Sequence, residues 1–344
     1  MPSVSADDEW SPLRSVIVGR AAHSNFPCEP PEMIANTMPS QYLEEFRANH
    51  PFPEYISEAA DAELDQLAAI LEQEGVKVYR PKHVDWGKIG GYTGSMPRDG
   101  LLTVGTHIIE SAYAWSCRRQ EITLGFEEIL HDLAQDPAVR VIRAPAPPNP
   151  DTIYDGPTGA GLEGQPWVIN NSRIAFDAAD FMRFGQTLLG QFSHVTNLKG
   201  VEYLQSQIPP GYTIEMLEVT NPHAMHIDTV ICPLRQGLLI YCPSRVSEDA
   251  LRKHKVLRDW DLRPVPFTPK PRLEPPSLTC SDWLVMNVLV VDGKKVIVDK
   301  TDTEFADWMR ELGMEPIFCP LRHVNSIGGA SHCATVDLVR QACN

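Results

Sequence analysis

The chain has 344 residues, 43% hydrophobic and 22% charged, which excludes a disordered or fibrous protein and allows one large or two moderate cores. Its 30 Lys and Arg against 45 Asp and Glu give a net charge of −15, which would repel a phosphate backbone and draw small cations instead. No nucleic-acid partner is expected.

The opening stretch, MPSVSADDEWSPLRS, carries early acids and no apolar run, so it reads as neither a secretory signal nor a transit peptide. No segment approaches the roughly 20 apolar residues of a bilayer span, so no membrane partner and a cytoplasmic location are expected. From Ser57 to Glu74, Ala60, Leu64, Leu67 and Leu71 recur at helical spacing behind a Ser cap, and Gly75 ends that helix before the strand Val76 to Tyr79. Leu101 to Ser111 reads as strand, Ile122, Phe126, Ile129 and Leu133 as the apolar face of a helix, and Val139 to Ala144 as a returning strand. Residues 144–165 contain APAPPNP and DGPTGAGLEG, which sustain neither helix nor strand; they are expected to form a surface excursion near the mouth of a site within one domain, 1–344. GPTGAG lacks the Gly-Lys-Ser/Thr ending of a phosphate loop. His226 to Leu234 and Gly237 to Cys242 read as paired strands, Ser247 to His254 as a helix and Asp261 to Val265 as a returning strand. The same order follows in Trp283 to Val291, the turn Asp292-Gly293, Lys295 to Asp299, a helix from Thr303 to Leu312 and Glu315 to Leu321. The strand-strand-helix-strand unit thus appears twice, the segment from Leu101 makes a third, and the remaining chain has material for about two more. Units of roughly 50 to 60 residues in series predict an α/β ring of modules around a centre rather than a Rossmann sheet.

Four places could do chemistry. Cys333 follows a glycine-rich turn, Ser326-Ile327-Gly328-Gly329, where backbone and ligand can approach closely, although a lone Cys is more often packed structure. His226, in Ala224-Met225-His226-Ile227-Asp228, heads an apolar strand and reads equally as a hydrogen-bonded core histidine. Asp177 and Asp180 lie where a helix begins, so one is a candidate cap, and Asp99 after Pro97-Arg98 a candidate turn residue. The eight cysteines form no CxxC pair and predict neither zinc knuckle nor disulfide scaffold; most are expected to be small buried hydrophobes. His223 and His226 form H-x-x-H without a third ligand nearby, so no metal is expected.

Taken in order, Met96-Pro97-Arg98-Asp99 with Ile108-Ile109-Glu110, FDAADF at 176–181, VTN and KG at 195–200, MHID at 225–228, WL and MNVL within 283–289, and the Ser326 to Asp337 run resemble the arginine:glycine amidinotransferases. That family includes the inosamine-phosphate amidinotransferases. The resemblance implies a five-module ββαβ propeller, the pentein fold, with its site in the central channel. It implies Cys333 as nucleophile, His226 as general acid and base, Asp177 as its orienting carboxylate, Asp99 and Asp228 as the grip on a guanidinium, and Arg245 on the substrate carboxylate. Ser281 falls where the family has a serine on the donor's amino-acid end; Cys280 stands where the glycine enzymes carry another serine, and His223 where they carry an Asn. The implied reaction passes the amidino group of L-arginine through an amidino-Cys intermediate to a primary amine and releases L-ornithine, with no cofactor, and a homodimer is compatible with it. The substitutions at His223 and Cys280 point to an acceptor of specialised metabolism rather than glycine. The alternatives are an arginine:glycine enzyme making guanidinoacetate, a pentein guanidino-hydrolase or deiminase, and a silent guanidino-binding protein.

Overall fold

The computed structural model describes residues 2–37, 46–156, 167–221, 223–277 and 279–341. One unit recurs through them: two antiparallel strands, a helix, and a third strand parallel to the second. β1 (Leu13–Val18) pairs in parallel with β2 (Lys77–Tyr79) across the helix Glu54–Gln73. β3 (Leu101–Val104) and β4 (His107–Glu110) make an antiparallel pair to which β5 (Arg140–Ile142) adds in parallel. The pattern repeats in β6 (Phe181–Phe184), β7 (Thr187–Gly190) and β8 (Thr213–Met216), and again in β9 (Ile231–Arg235), β10 (Leu238–Tyr241) and β11 (Asp261–Pro264). β12 (Leu289–Val290), β13 (Lys295–Asp299) and β14 (Glu315–Cys319) form the fifth. β15 (Thr335–Arg340) then returns to pair antiparallel with β1, Val16 opposite Asp337, and supplies the first unit's missing strand.

Strand alternation closes these sheets into a ring, because successive side chains point to opposite faces and each face meets a different neighbour. Ile17 packs with Leu101 and Ile108 of the second unit, whereas Val16 and Val18 share a core with Leu289 and Ile297 of the fifth. Leu102 and Ile109 face Phe181 and Leu188 of the third; Met182 and Leu189 face Ile231 and Leu239 of the fourth; Leu234 and Ile240 face Val290 and Val298 of the fifth. The five-module α/β propeller expected from the repeat is therefore the fold observed. A buried ionic cluster fills its middle: Arg183 bonds both Glu9 oxygens at 2.7 Å and also pairs with Asp337, which Arg98 and Arg340 reach at 2.9 and 2.8 Å. Burial works against the charges of Glu9 and Asp337, but these guanidinium groups outweigh it and hold both carboxylates well below their usual range.

Local differences from expectation have local causes. The long helix begins at Glu54 after Pro53, so Ser57 is a buried residue of its second turn rather than a cap. Gly75 does end it, at φ +80, where a side chain would be strained. The helix read from Ile122 opens with a π turn, Ile122–Phe126, before Glu127–Leu133. Residues 145–150 of the Pro-rich stretch are exposed and without regular structure; 157–166 lie outside the described residues. No helix among the described residues is long and apolar enough to cross a membrane.

Candidate active site

Each module contributes at the same end of its sheet, just before the first strand of its antiparallel pair. Asp99 lies in the short helix Pro97–Gly100 before β3, Asp177 and Asp180 before β6, His226 and Asp228 before β9, Asn287 before β12, and Cys333 before β15. Residues spread over more than two hundred positions thereby meet at the ring's centre. Neither Asp177 nor Asp180 caps a helix through its side chain. The Asp180 carboxylate instead accepts from Gln191, Ser193, Thr196 and the His226 backbone amide, and Asp177 turns to the His226 ring.

Nor does His226 head a strand; it precedes a 3-10 turn, Ile227–Thr229, and its φ is +67, unusual for any residue but glycine. The 2.9 Å bond from its amide to Asp180 holds that conformation and aims the ring inward. Nε2 lies 3.1 Å from Asp177 Oδ2, and Nδ1 lies 3.6 Å from Asp99 Oδ1. Burial disfavours the imidazolium, but Asp99, Asp177 and Asp180 overcome it and push the pKa up to about 10. His226 is thus a poised acid.

The Cys333 thiol donates to Asp228 Oδ2 at 3.3 Å and accepts from Asn287 Nδ2 at 2.9 Å. Asn287 also takes the Ala330 and Cys333 backbone amides on its Oδ1, so one amide fixes both the turn and the sulfur. His332 Nδ1 bonds Asp228 Oδ2 at 2.8 Å from the other side. Burial, the charges of Asp228 and Asp99, and Cys280 raise the thiol well above its usual pKa. Asp99 Oδ1 and Asp228 Oδ1 are buried and accept no hydrogen bond from the protein, which suits them to a planar, multi-donor cation.

A cavity of about 250 Å³ opens onto Cys333, His226, Asp228 and Asn287. Arg245 lies along it, bonded to Ser281 Oγ at 2.7 Å and to Thr229. Cys280 and His223 also line it, the latter exposed toward solvent. Burial raises the Cys280 thiol to about 12, so it is no competing nucleophile near neutral pH. Asp99 lines a deeper recess with Tyr92, Trp115 and Arg118, and Asp177 sits behind His226.

Arg118 carries no motif, yet its fully buried guanidinium organises the recess. It bonds Asp99 Oδ2 at 2.9 Å and Glu121, lies 3.5 Å from Asp177, and stacks over the Tyr113 ring at 4.5 Å. Asp99, His226 and Cys333 bring donor atoms within 4.8 Å of one another, a spacing a metal ion could use, but the Arg118 and imidazolium charges beside Asp99 oppose a divalent cation. Arg118→Ala should destabilise the protein by about 3–5 kcal/mol, because it strands three buried carboxylates. Chemical denaturation at neutral pH measures this; a loss below about 1 kcal/mol would show the acids to be satisfied without it.

No family model matches the chain. It is 37% identical over 353 residues to an L-arginine:L-lysine amidinotransferase of Pseudomonas savastanoi pv. phaseolicola, covering 97% of this chain and 93% of that one. It is 34% identical to the mitochondrial glycine amidinotransferase of Gallus gallus, covering 98% and 83%. Among solved structures, SxtG, an amidinotransferase of the saxitoxin biosynthetic pathway of Microseira wollei, superposes with a TM-score of 0.87 at 31% identity over 99% and 98% of the two chains.

Proposed function

Starting from the chain's membership of the amidinotransferase family, we propose that it transfers the amidino group of L-arginine, through Cys333, to a primary amine larger than glycine. The observation that carries the covalent scheme is the convergence on one point of a thiol, an imidazolium and two carboxylates, each with one oxygen that accepts no hydrogen bond.

A guanidinium seated between Asp99 and Asp228 cancels the charges that keep Cys333 protonated. A unit positive charge about 4 Å from a thiolate, at an effective dielectric of about 20, favours ionisation by roughly 4 kcal/mol, or about 3 pKa units. The donor therefore activates its own nucleophile. The thiolate attacks the guanidinium carbon; as the carbon–nitrogen bond to ornithine breaks, His226 gives that nitrogen its proton, avoiding an amide anion. Ornithine leaves, and the amine that replaces it yields a proton to the now neutral His226 and attacks the same carbon, breaking the carbon–sulfur bond. Asp177 holds the imidazole for both transfers, and Arg245 with Ser281 takes the substrate carboxylate.

For the acceptor, the support is the cavity wall, where the His223 ring and the Cys280 thiol stand, together with a lysine-using relative. Incubation with arginine and a panel of glycine, lysine, polyamines and aminocyclitols should release ornithine without citrulline, with kcat/KM for glycine below that of a larger amine. Citrulline formation would make the protein a hydrolase. Glycine as best acceptor, with a ranking that His223→Asn leaves unaltered, would make it a plain arginine:glycine enzyme.

Asp99→Asn should raise the arginine KM and lower kcat together, reducing kcat/KM at least about tenfold, as a charge-assisted bond of about 1.5–3 kcal/mol is weakened. Steady-state kinetics decides it, and an unchanged kcat/KM would leave Asp99 a structural partner of Arg118.

A further inference from the structure

Cys28 is exposed, unlike most of the chain's described cysteines, and leads into the helix Pro31–Thr37, whose last residue lines the catalytic cavity. The next residue, Glu29, fastens this strap to the 3-10 turn Ser116–Arg118: Oε1 accepts from Ser116 Oγ at 2.8 Å and the Cys117 amide at 3.1 Å, and Oε2 from Tyr154 at 2.9 Å. The sulfurs of Cys28 and Cys117 and a Glu29 oxygen consequently lie within 4.8 Å of one another, although the cysteines are far apart in sequence.

We propose that Cys28 and Cys117 form an oxidisable thiol pair that closes to a disulfide in the folded protein. A hydroperoxide is the co-reactant. The Cys28 thiolate attacks one peroxide oxygen, the O–O bond breaks and water or an alcohol leaves, giving a sulfenic acid; Cys117 attacks the Cys28 sulfur, and hydroxide leaves to be protonated to water. Two electrons pass from the thiols to the peroxide.

Chemistry distinguishes this pair from the other cysteines. Cys117, by bonding to it, lowers the Cys28 thiol to about 7 against the opposing effects of burial and Glu29, so much of it is ionised near neutral pH. Among the described residues every other shifted cysteine is raised: Cys232, Cys242, Cys280, Cys319 and Cys333 chiefly by burial, Cys117 first by its bond to Cys28. An accessible, low-pKa sulfur beside a buried partner is the arrangement of a reactive and a resolving cysteine. Glu29 already accepts three hydrogen bonds, which favours a two-sulfur bond over a Cys-Glu-Cys metal site. The bond would lock the strap bearing Thr37 to the turn bearing Arg118.

The test treats the reduced full-length protein with a few equivalents of hydrogen peroxide, blocks free thiols, and maps peptides without reduction. The expected result is a Cys28–Cys117 cross-linked peptide two hydrogens lighter than its parts, absent in Cys28→Ser and reversed by dithiothreitol. The oxidised protein should also melt higher than the reduced, since the cross-link restrains the unfolded chain. Oxidation confined to Cys333 or Cys280, or sulfinic acid on Cys28 with Cys117 still free, would overturn the proposal. So would stoichiometric zinc, added alone, that is retained through dialysis and shields both thiols, which would make the cluster a metal site.

Discussion

Cys333→Ala is expected to lower amidino transfer at least about 10⁴-fold while arginine still binds, because the thiol supplies the bond and Asp99, Asp228 and Arg245 supply the grip. Calorimetry of the variant should show arginine binding within about tenfold of wild type. Mass spectrometry of the wild-type enzyme with arginine alone should find an amidino group on Cys333, and arginine should exchange with labelled ornithine without an acceptor. Residual activity near wild type, or the adduct on another cysteine, would falsify the covalent scheme.

His226→Gln is expected to reduce kcat by about 10²–10⁴, the usual contribution of a positioned acid–base group. Adduct formation measured in a single turnover should slow with it, since the ornithine nitrogen loses its proton donor; a variant that forms the adduct at the normal rate would confine His226 to the second half-reaction. The same substitution carries a stability signature. The folded-state pKa of His226, about 10, lies above the unfolded value near 6.5, so its ion pairs with Asp99 and Asp177 contribute fully below about pH 6.5 and fade as pH rises toward 10. The stability gap between wild type and variant should be flat at low pH and shrink across that window.

The ring was legible because its unit repeats: alternation and helical spacing mark β9 to β11 and β12 to β14, and the remaining units follow the same order. Cys333, His226, Asp177 and Asp99 were singled out together only by the resemblance, since each has an ordinary structural reading alone, and Asp228 entered through the resemblance itself. Arg118 escaped notice because its importance lies in Asp99, Glu121 and Asp177, and the last of these comes from the next module. Asn287 stood inside a recognised motif, but nothing in its neighbours says that its amide holds the sulfur 46 positions away. The Cys28–Cys117 pair was hidden for the same reason: spacing rules look for cysteines close in sequence, and Glu29 joins these two through space. His226 was misjudged locally, as an apolar run following a histidine looks like a strand until its positive φ is seen.

The pairing of β15 with β1 also ties the site to the two ends of the chain. Cys333 stands two residues before β15, so its sulfur acquires its neighbours only when that strand crosses back to the beginning of the chain. Asp99, Asp177 and His226 come from units that precede it in the chain, and the Cys333 sulfur joins them from the last strand. The closing of the circle thus both seats the sulfur in the cavity and hides it from solvent.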